Sequence, residues 1–188
     1  WMKIALCLCM LFFIFVPSHC DAAEWHEDRP IYWQDGYWTI FSYPDEDMCD
    51  LSAKTVANEH FTLGYFPRQK FYSFLLTNQN ASSLIDGQEV TLSVVFIRGK
   101  HIDMGWGDRK FTVQKTGGQI AFSSPNLPHP IEEDFANSDT IALFRRDVGG
   151  SPVLVAGIDL SGSASAIEEL KKCAINAAGL NSKDPFIK

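Results

Sequence analysis

Val90-Thr91-Leu92-Ser93-Val94-Val95-Phe96-Ile97 is the stretch whose reading decides the fold. Val90, Leu92, Val94 and Phe96 fall on one face of an extended chain. This period-two alternation, in a run dense with β-branched residues, predicts a strand with one buried face. Arg98-Gly99-Lys100 then turns the chain.

The neighbouring segments repeat the pattern. On the C-terminal side, His101–Met104, Lys110–Gln114 and Gln119–Ser123 read as short strands. The Gly-rich segments Gly105-Trp106-Gly107-Asp108 and Thr116-Gly117-Gly118 separate them as turns. On the N-terminal side, Gly36–Tyr43, His60–Phe66 and Lys70–Thr77 have strand composition. Pro44-Asp45-Glu46-Asp47 breaks the first of these ahead of Cys49, and Pro67-Arg68 joins the other two. Asn80-Ala81-Ser82 is a turn, and also a glycosylation sequon in a eukaryotic host. Together the segments predict an antiparallel meander.

Beyond residue 124 the pattern changes. Pro125, Pro128 and Pro130 open a loop, and Pro130–Ala136 predicts one short helix with proline at its first position and acids in its first turn. Thr140–Arg145 and Val153–Leu160 return to strand character around Gly149-Gly150-Ser151-Pro152. The last element is an amphipathic helix. Ala166, Ile167, Leu170, Cys173, Ala174 and Ala177 share one side, and Glu168, Glu169, Lys171 and Lys172 face outward. Ser161 or Ser163 is placed to cap it, and Gly179 ends it. The expectation is a mainly β single domain over 24–180, an antiparallel β-sandwich or open barrel with one C-terminal α-helix. A loose tail follows at 181–188.

Lys3, the thirteen-residue apolar run Ile4–Val16 and the exit Pro17-Ser18-His19-Cys20-Asp21-Ala22-Ala23 read as a secretory signal peptide over 1–23. Cleavage is expected after Cys20, Ala22 or Ala23. Pro17, Ser18 and His19 match the lipid-modification pattern poorly at Cys20. A bilayer-spanning helix needs roughly 20 apolar residues, so this run predicts no stable transmembrane anchor. The expected location is secreted or periplasmic. Of five cysteines, Cys7, Cys9 and Cys20 fall in the leader, which leaves Cys49 and Cys173 as a disulfide pair in an oxidising compartment.

With 16 basic and 23 acidic residues the net charge is −7, which repels a phosphate backbone and argues against nucleic-acid binding. No Cys-x-x-Cys and no His pair at i, i+4 exists to hold zinc, and the Asp-rich calcium-loop spacing is missing. No metal and no cofactor is expected. Gly162-Ser163 lacks the second glycine of a nucleophile elbow. His101 and Asp103 share a strand face, as a base and its orienting acid would, with no identified nucleophile. Glu132-Glu133-Asp134 offers adjacent carboxylates, whereas glycoside hydrolysis needs two acids set across a sugar. Both groups also read as plain solvent-facing residues, and no catalytic residue is assigned.

Seven aromatic residues, Trp25, Tyr32, Trp33, Tyr37, Trp38, Phe41 and Tyr43, lie within nineteen positions. Trp25, Trp33 and the glycine-flanked Trp106 form the candidate binding surface, for stacking on sugars or anchoring a protein. The plainer alternative is that these rings fill the core and cover an edge strand.

Asp159-Leu160-Ser161-Gly162-Ser163, followed by Ala166-Ile167, Leu170 and Cys173, resembles the end of bacterial periplasmic proteins of the invasion-associated locus B type. Gly36-Tyr37-Trp38-Thr39 with Cys49 looks like that family's opening strand and first cysteine, and Phe135 through Ala142-Leu143-Phe144 matches its short helix and strand. The likeness spans 36–178. It departs in the acidic, Pro-rich loop at 124–138 and the aromatic arm at 24–33. The resemblance implies an exported β-rich domain closed by a disulfide, linked to host association or the envelope, and it brings no catalytic residue. The expected function is non-enzymatic binding of a protein partner in the cell envelope or outside the cell. The alternative is a carbohydrate-binding module or small cell-wall hydrolase, with a glycan as ligand.

Overall fold

Alternating burial organises ten strands in a computed structural model that describes residues 29–54, 60–78, 81–116, 119–125, 127 and 131–180. The leader over 1–23, Trp25, Asn80 and the tail over 181–188 lie outside the described residues. In chain order the strands are β1 (Ile31–Asp35), β2 (Trp38–Tyr43), β3 (Met48–Lys54), β4 (His60–Phe66), β5 (Phe71–Thr77), β6 (Glu89–Arg98), β7 (His101–Thr116), β8 (Gln119–Ser124), β9 (Thr140–Arg146) and β10 (Pro152–Asp159). Helix α1 (Ile131–Ala136) precedes β9, and α2 (Ser163–Ala177) follows β10.

All ten strands join one antiparallel sheet in the order β1-β2-β3-β4-β5-β8-β7-β6-β9-β10. Of the two expected architectures the chain adopts the open form, a single sheet with two ends. The deciding strand β6 buries Leu92, Val94 and Phe96 as its alternation predicts. Its partners are β7 on one side and β9 on the other. The sheet curls until its two ends approach. The Tyr37 hydroxyl donates to the Asp159 carbonyl at 2.8 Å, and Trp38 Nε1 donates to the Ser161 carbonyl at 2.7 Å. Burial and the neighbouring Asp159 push the Tyr37 hydroxyl up to about 12, so it stays protonated as the donor. Asn78 Nδ2, just past β5, donates to the Val155 carbonyl of β10 at 2.9 Å.

Three local differences from the sequence reading have physical causes. The expected strand over 36–43 is present as β2, starting two residues later, because Gly36 takes a left-handed φ of 57° in the tight turn that pairs Asp35 of β1 with Trp38. Met48–Lys54 is a full strand where none was expected, with Cys49, Leu51 and Ala53 facing the core. The Gly105–Asp108 turn does not exist, and β7 runs unbroken through it with its register shifted opposite Val94–Phe96. Gly105 is required there, because a Cβ would lie 1.9 Å from the Val94 carbonyl oxygen of the adjacent strand.

Helix α2 buries Ala166, Ile167, Leu170, Cys173 and Ala174 against the sheet. Its N-cap is Gly162, with φ 77° and no capping side chain. Neither serine caps it. Ser163 is buried and its Oγ donates to the Phe135 carbonyl at 2.9 Å, tying α2 to α1. Cys173 on the buried stripe forms the disulfide with Cys49 of β3, with Cα atoms 6.0 Å apart and 124 positions of sequence between them.

A closed loop of that length stabilises the fold by about 4–5 kcal/mol in the chain-entropy account. The Cys49→Ala/Cys173→Ala protein is therefore expected to lose several kcal/mol in urea unfolding. An unfolding midpoint that does not change between the oxidised protein, the reduced protein and this variant would count against the staple.

Candidate functional site

The side chains singled out in the sequence converge only in part, and around α1. Pro-rich chain leads into Ile131, and the apolar positions Ile131 and Phe135 bury one face of this six-residue helix. Phe135 reaches Phe61 and Phe96, with ring centroids 5.9 Å away in each case. The acids between them then project from the edge of the core. Glu132 Oε1 accepts hydrogen bonds from the Tyr72 hydroxyl at 2.8 Å and from Lys171 Nζ at 3.0 Å. Asp134 Oδ2 accepts the Trp106 indole N–H at 2.7 Å. Glu133 is exposed.

Tyr72 is fully buried in β5 and stacks on half-buried Tyr65 of β4, with centroids 4.6 Å apart. Burial is the main cause that raises the Tyr72 hydroxyl above its ordinary value, reinforced by the hydrogen bond to Glu132. Tyr65 is raised too, first by burial, with Lys171 pulling the other way. Both phenols are therefore neutral at physiological pH, and Tyr72 is the donor to Glu132. Glu132 thus ties α1, α2 and β5 together through one carboxylate.

The other candidates are dispersed. Trp106 is half-buried on β7, edge-on to Phe96 with centroids 5.2 Å apart. Trp33 is half-buried on β1 against the core, and Trp25 lies outside the described residues. His101 is exposed at the tip of the β6–β7 hairpin, where it pairs with Arg98. Asp103 pairs with Phe96 by its backbone, and its side chain lies outside what is described. The tip is held by Asp139 Oδ2, which accepts the Gly99 amide at 2.5 Å, and by Arg98 Nε donating to the Asn137 carbonyl. Among the described residues, His101 has no hydrogen bond or ion pair to the α1 acids. Among the described residues the arrangement fixes rings and helices in place.

One acid was not foreseen. Asp50 of β3 sits in register between Phe41 and Gly64. Burial pushes its carboxyl up to about 7, with Arg29 pulling it down and Glu46 pushing it further up. Its signal in the sequence was the alternation Cys49-Asp50-Leu51-Ser52-Ala53, which the breaker Pro44–Asp47 obscured.

No protein-family model and no curated protein sequence matches this chain. Among solved structures it shares the fold of invasion associated protein B from Bartonella henselae. The match has a TM-score of 0.51 at 12% sequence identity, covering 74% of this chain and 95% of that one. The fold thus agrees with the resemblance carried by Asp159–Ser163 and the two cysteines.

Two outcomes follow from these contacts. Replacing Glu132 by Ala removes the acceptor of a buried hydroxyl and should cost about 1–3 kcal/mol in denaturant unfolding, whereas Glu132→Gln should cost less. A variant as stable as wild type would dismiss the tether. For Asp50, the folded protein holds a proton that the unfolded chain has released. Its contribution is greatest below the unfolded value of 3.8 and is lost as pH rises towards about 7. Urea midpoints should fall across that window and flatten in Asp50→Asn; equal slopes in the two proteins would refute the assignment.

Proposed function

We propose that this chain is an exported, disulfide-closed β-domain that binds a protein partner in the cell envelope or outside the cell. The leader-like N-terminal sequence, the Cys49–Cys173 bond and the shared fold support export. The observation that carries the binding reading is the end of the sheet at β1. Among the described residues β1 pairs only with β2, so its other edge offers unpaired backbone donors and acceptors. Ile31 and Tyr32 stand on that strand 58% and 41% exposed. An edge with apolar and aromatic side chains beside it suits an incoming extended segment, which would add a strand and set its own side chains against them.

Catalysis is disfavoured by how the acids are used. Glu132 and Asp134 hold Tyr72, Lys171 and Trp106, and a carboxylate committed to structural donors is poorly placed to shuttle protons. The aromatic surface first suggested by Trp33 and Trp106 shifts in this reading towards Tyr32, because both indoles are half-buried.

Affinity capture of the mature domain from envelope and culture extracts, with mass spectrometry of the retained proteins, tests the reading. A stoichiometric partner is expected, and Ile31→Lys/Tyr32→Lys should weaken its capture by about tenfold or more. Retention of a glycan in place of any protein would reject the protein-partner reading, and unimpaired capture by the double variant would reject the β1 edge.

A further inference from the structure

A cavity of about 470 Å³ is lined by none of the residues of β1 or α1. Its walls come from four parts of the chain: the segment after β5, the start of β6, β8, and the β9–β10 pair. Buried Leu92 and Phe122 form its floor. Leu84, Val90 and Val155, each half-buried, line its sides. Arg145 stands exposed at its rim, one position before the end of β9 and paired in register with Val153. Among the described residues Arg145 has no ion pair. The nearest acid in sequence, Asp147, is engaged by the Ser151 amide at 2.7 Å.

The volume falls within the range of about 300–1,000 Å³ typical of small-molecule sites. Its chemistry is divided. Asn78, Ser83 and Thr91 share the lining with the apolar side chains; the apolar part rewards removal of hydrocarbon from water, and a guanidinium at the mouth gives a forked, permanently charged partner for an anion. On a chain with net charge −7, a cation without an ion pair among the described residues stands out beside this cavity. We propose that this cavity binds a single-chain amphiphile, its hydrocarbon tail against Leu92 and Phe122 and its anionic head on Arg145.

Asn78 and β10 give the site its shape. The Asn78 amide that donates to the Val155 carbonyl holds the start of β10 over the end of β5, and the register shift between Leu154 and Ala156 bends β10 at that point. That bend leaves Val153 and Val155 beside the cavity, while Ala156 and Ile158 return to the core.

Isothermal titration calorimetry on the mature protein tests the proposal with dodecanoate and dodecyl phosphate, both below their micelle concentrations, and with the neutral dodecanol and the tail-less acetate as controls. Saturable one-to-one binding is expected for the two anionic amphiphiles. The tighter of the two identifies a carboxylate or a phosphate head as the preferred source. Acetate should not bind, and dodecanol should bind at least about tenfold more weakly than the anions, since charge-assisted hydrogen bonds to the head are lost. Arg145→Gln, an exposed change that should leave the unfolding midpoint intact, is expected to bring the anions down to the level of dodecanol. Leu84→Trp should abolish binding by filling the cavity. Should it fail to fold, Thr91→Trp at the rim replaces it. No saturable binding of either anion by the wild-type protein would overturn the proposal, as would equal binding by Arg145→Gln. Loss of the β1-edge partner would leave these results unaffected, so the two readings fail separately.

Discussion

A sheet that does not close on itself must cover its concave face with something else, and the rest of this structure follows from that constraint. Ten strands leave two ends, and the apolar face between them is sealed by α2 and α1. Phe135 illustrates the role of α1. It touches Phe61 of β4 and Phe96 of β6, which lie on opposite halves of the sheet. Fully burying side chains of this size contributes about 1.5–3 kcal/mol each before the entropy of ordering them is subtracted. Ser163 then joins the two helices, Trp38 holds the start of α2 to the sheet, and Cys49–Cys173 fixes its middle. The helix covers the core, and these polar and covalent contacts keep it in place.

What was legible in the sequence is what is local. The strand over 90–97 and the stripe Ala166–Ala177 carry their burial in their own periodicity, and both are as expected. Strand β3 carries little signal in the sequence, because Asp50, Ser52 and Lys54 among its seven residues are polar and the breaker Pro44–Asp47 precedes it. Glycine misled in the opposite direction at 105–108. Two glycines around a tryptophan signal a turn when read locally. In the folded protein Gly105 answers a close backbone approach from β6, which is a tertiary demand. The order in which β5 meets β8 and β6 meets β9 is likewise invisible locally, since these pairings span long stretches of chain.

The candidate site was legible in residue type and not in partnership. Three adjacent acids at 132–134 were readable as a helix start, and that is where they stand. Their partners come from afar: Tyr72 lies 60 positions away from Glu132, Lys171 lies 39 away, and Trp106 lies 28 from Asp134. No spacing rule connects such residues, so acids that a linear reading assigns to solvent or to chemistry turn out to be tethers. Arg145 carried even less signal. It is one of two consecutive arginines at a strand end, and most of its neighbours at the cavity come from segments far away in the chain.

A likeness in fold at 12% identity is what this economy of specification allows. Inward positions need apolar side chains of fitting volume more than particular ones, and outward positions need only avoid hydrocarbon. Leu92, Val94 and Phe96 are in that sense replaceable as long as the alternation survives. The positions with narrower requirements are those where the backbone itself is constrained. Gly105 has no room for a Cβ, Gly162 begins α2 with a left-handed φ of 77°, and Cys49 must lie opposite Cys173. Side chains outside these categories are less constrained: Tyr32 at the open edge is exposed and accepts a single hydrogen bond from Asn176, and Arg145 at the cavity rim is exposed. Such exposed positions can change without disturbing the shared core, so a common fold leaves the surface free to differ between two proteins.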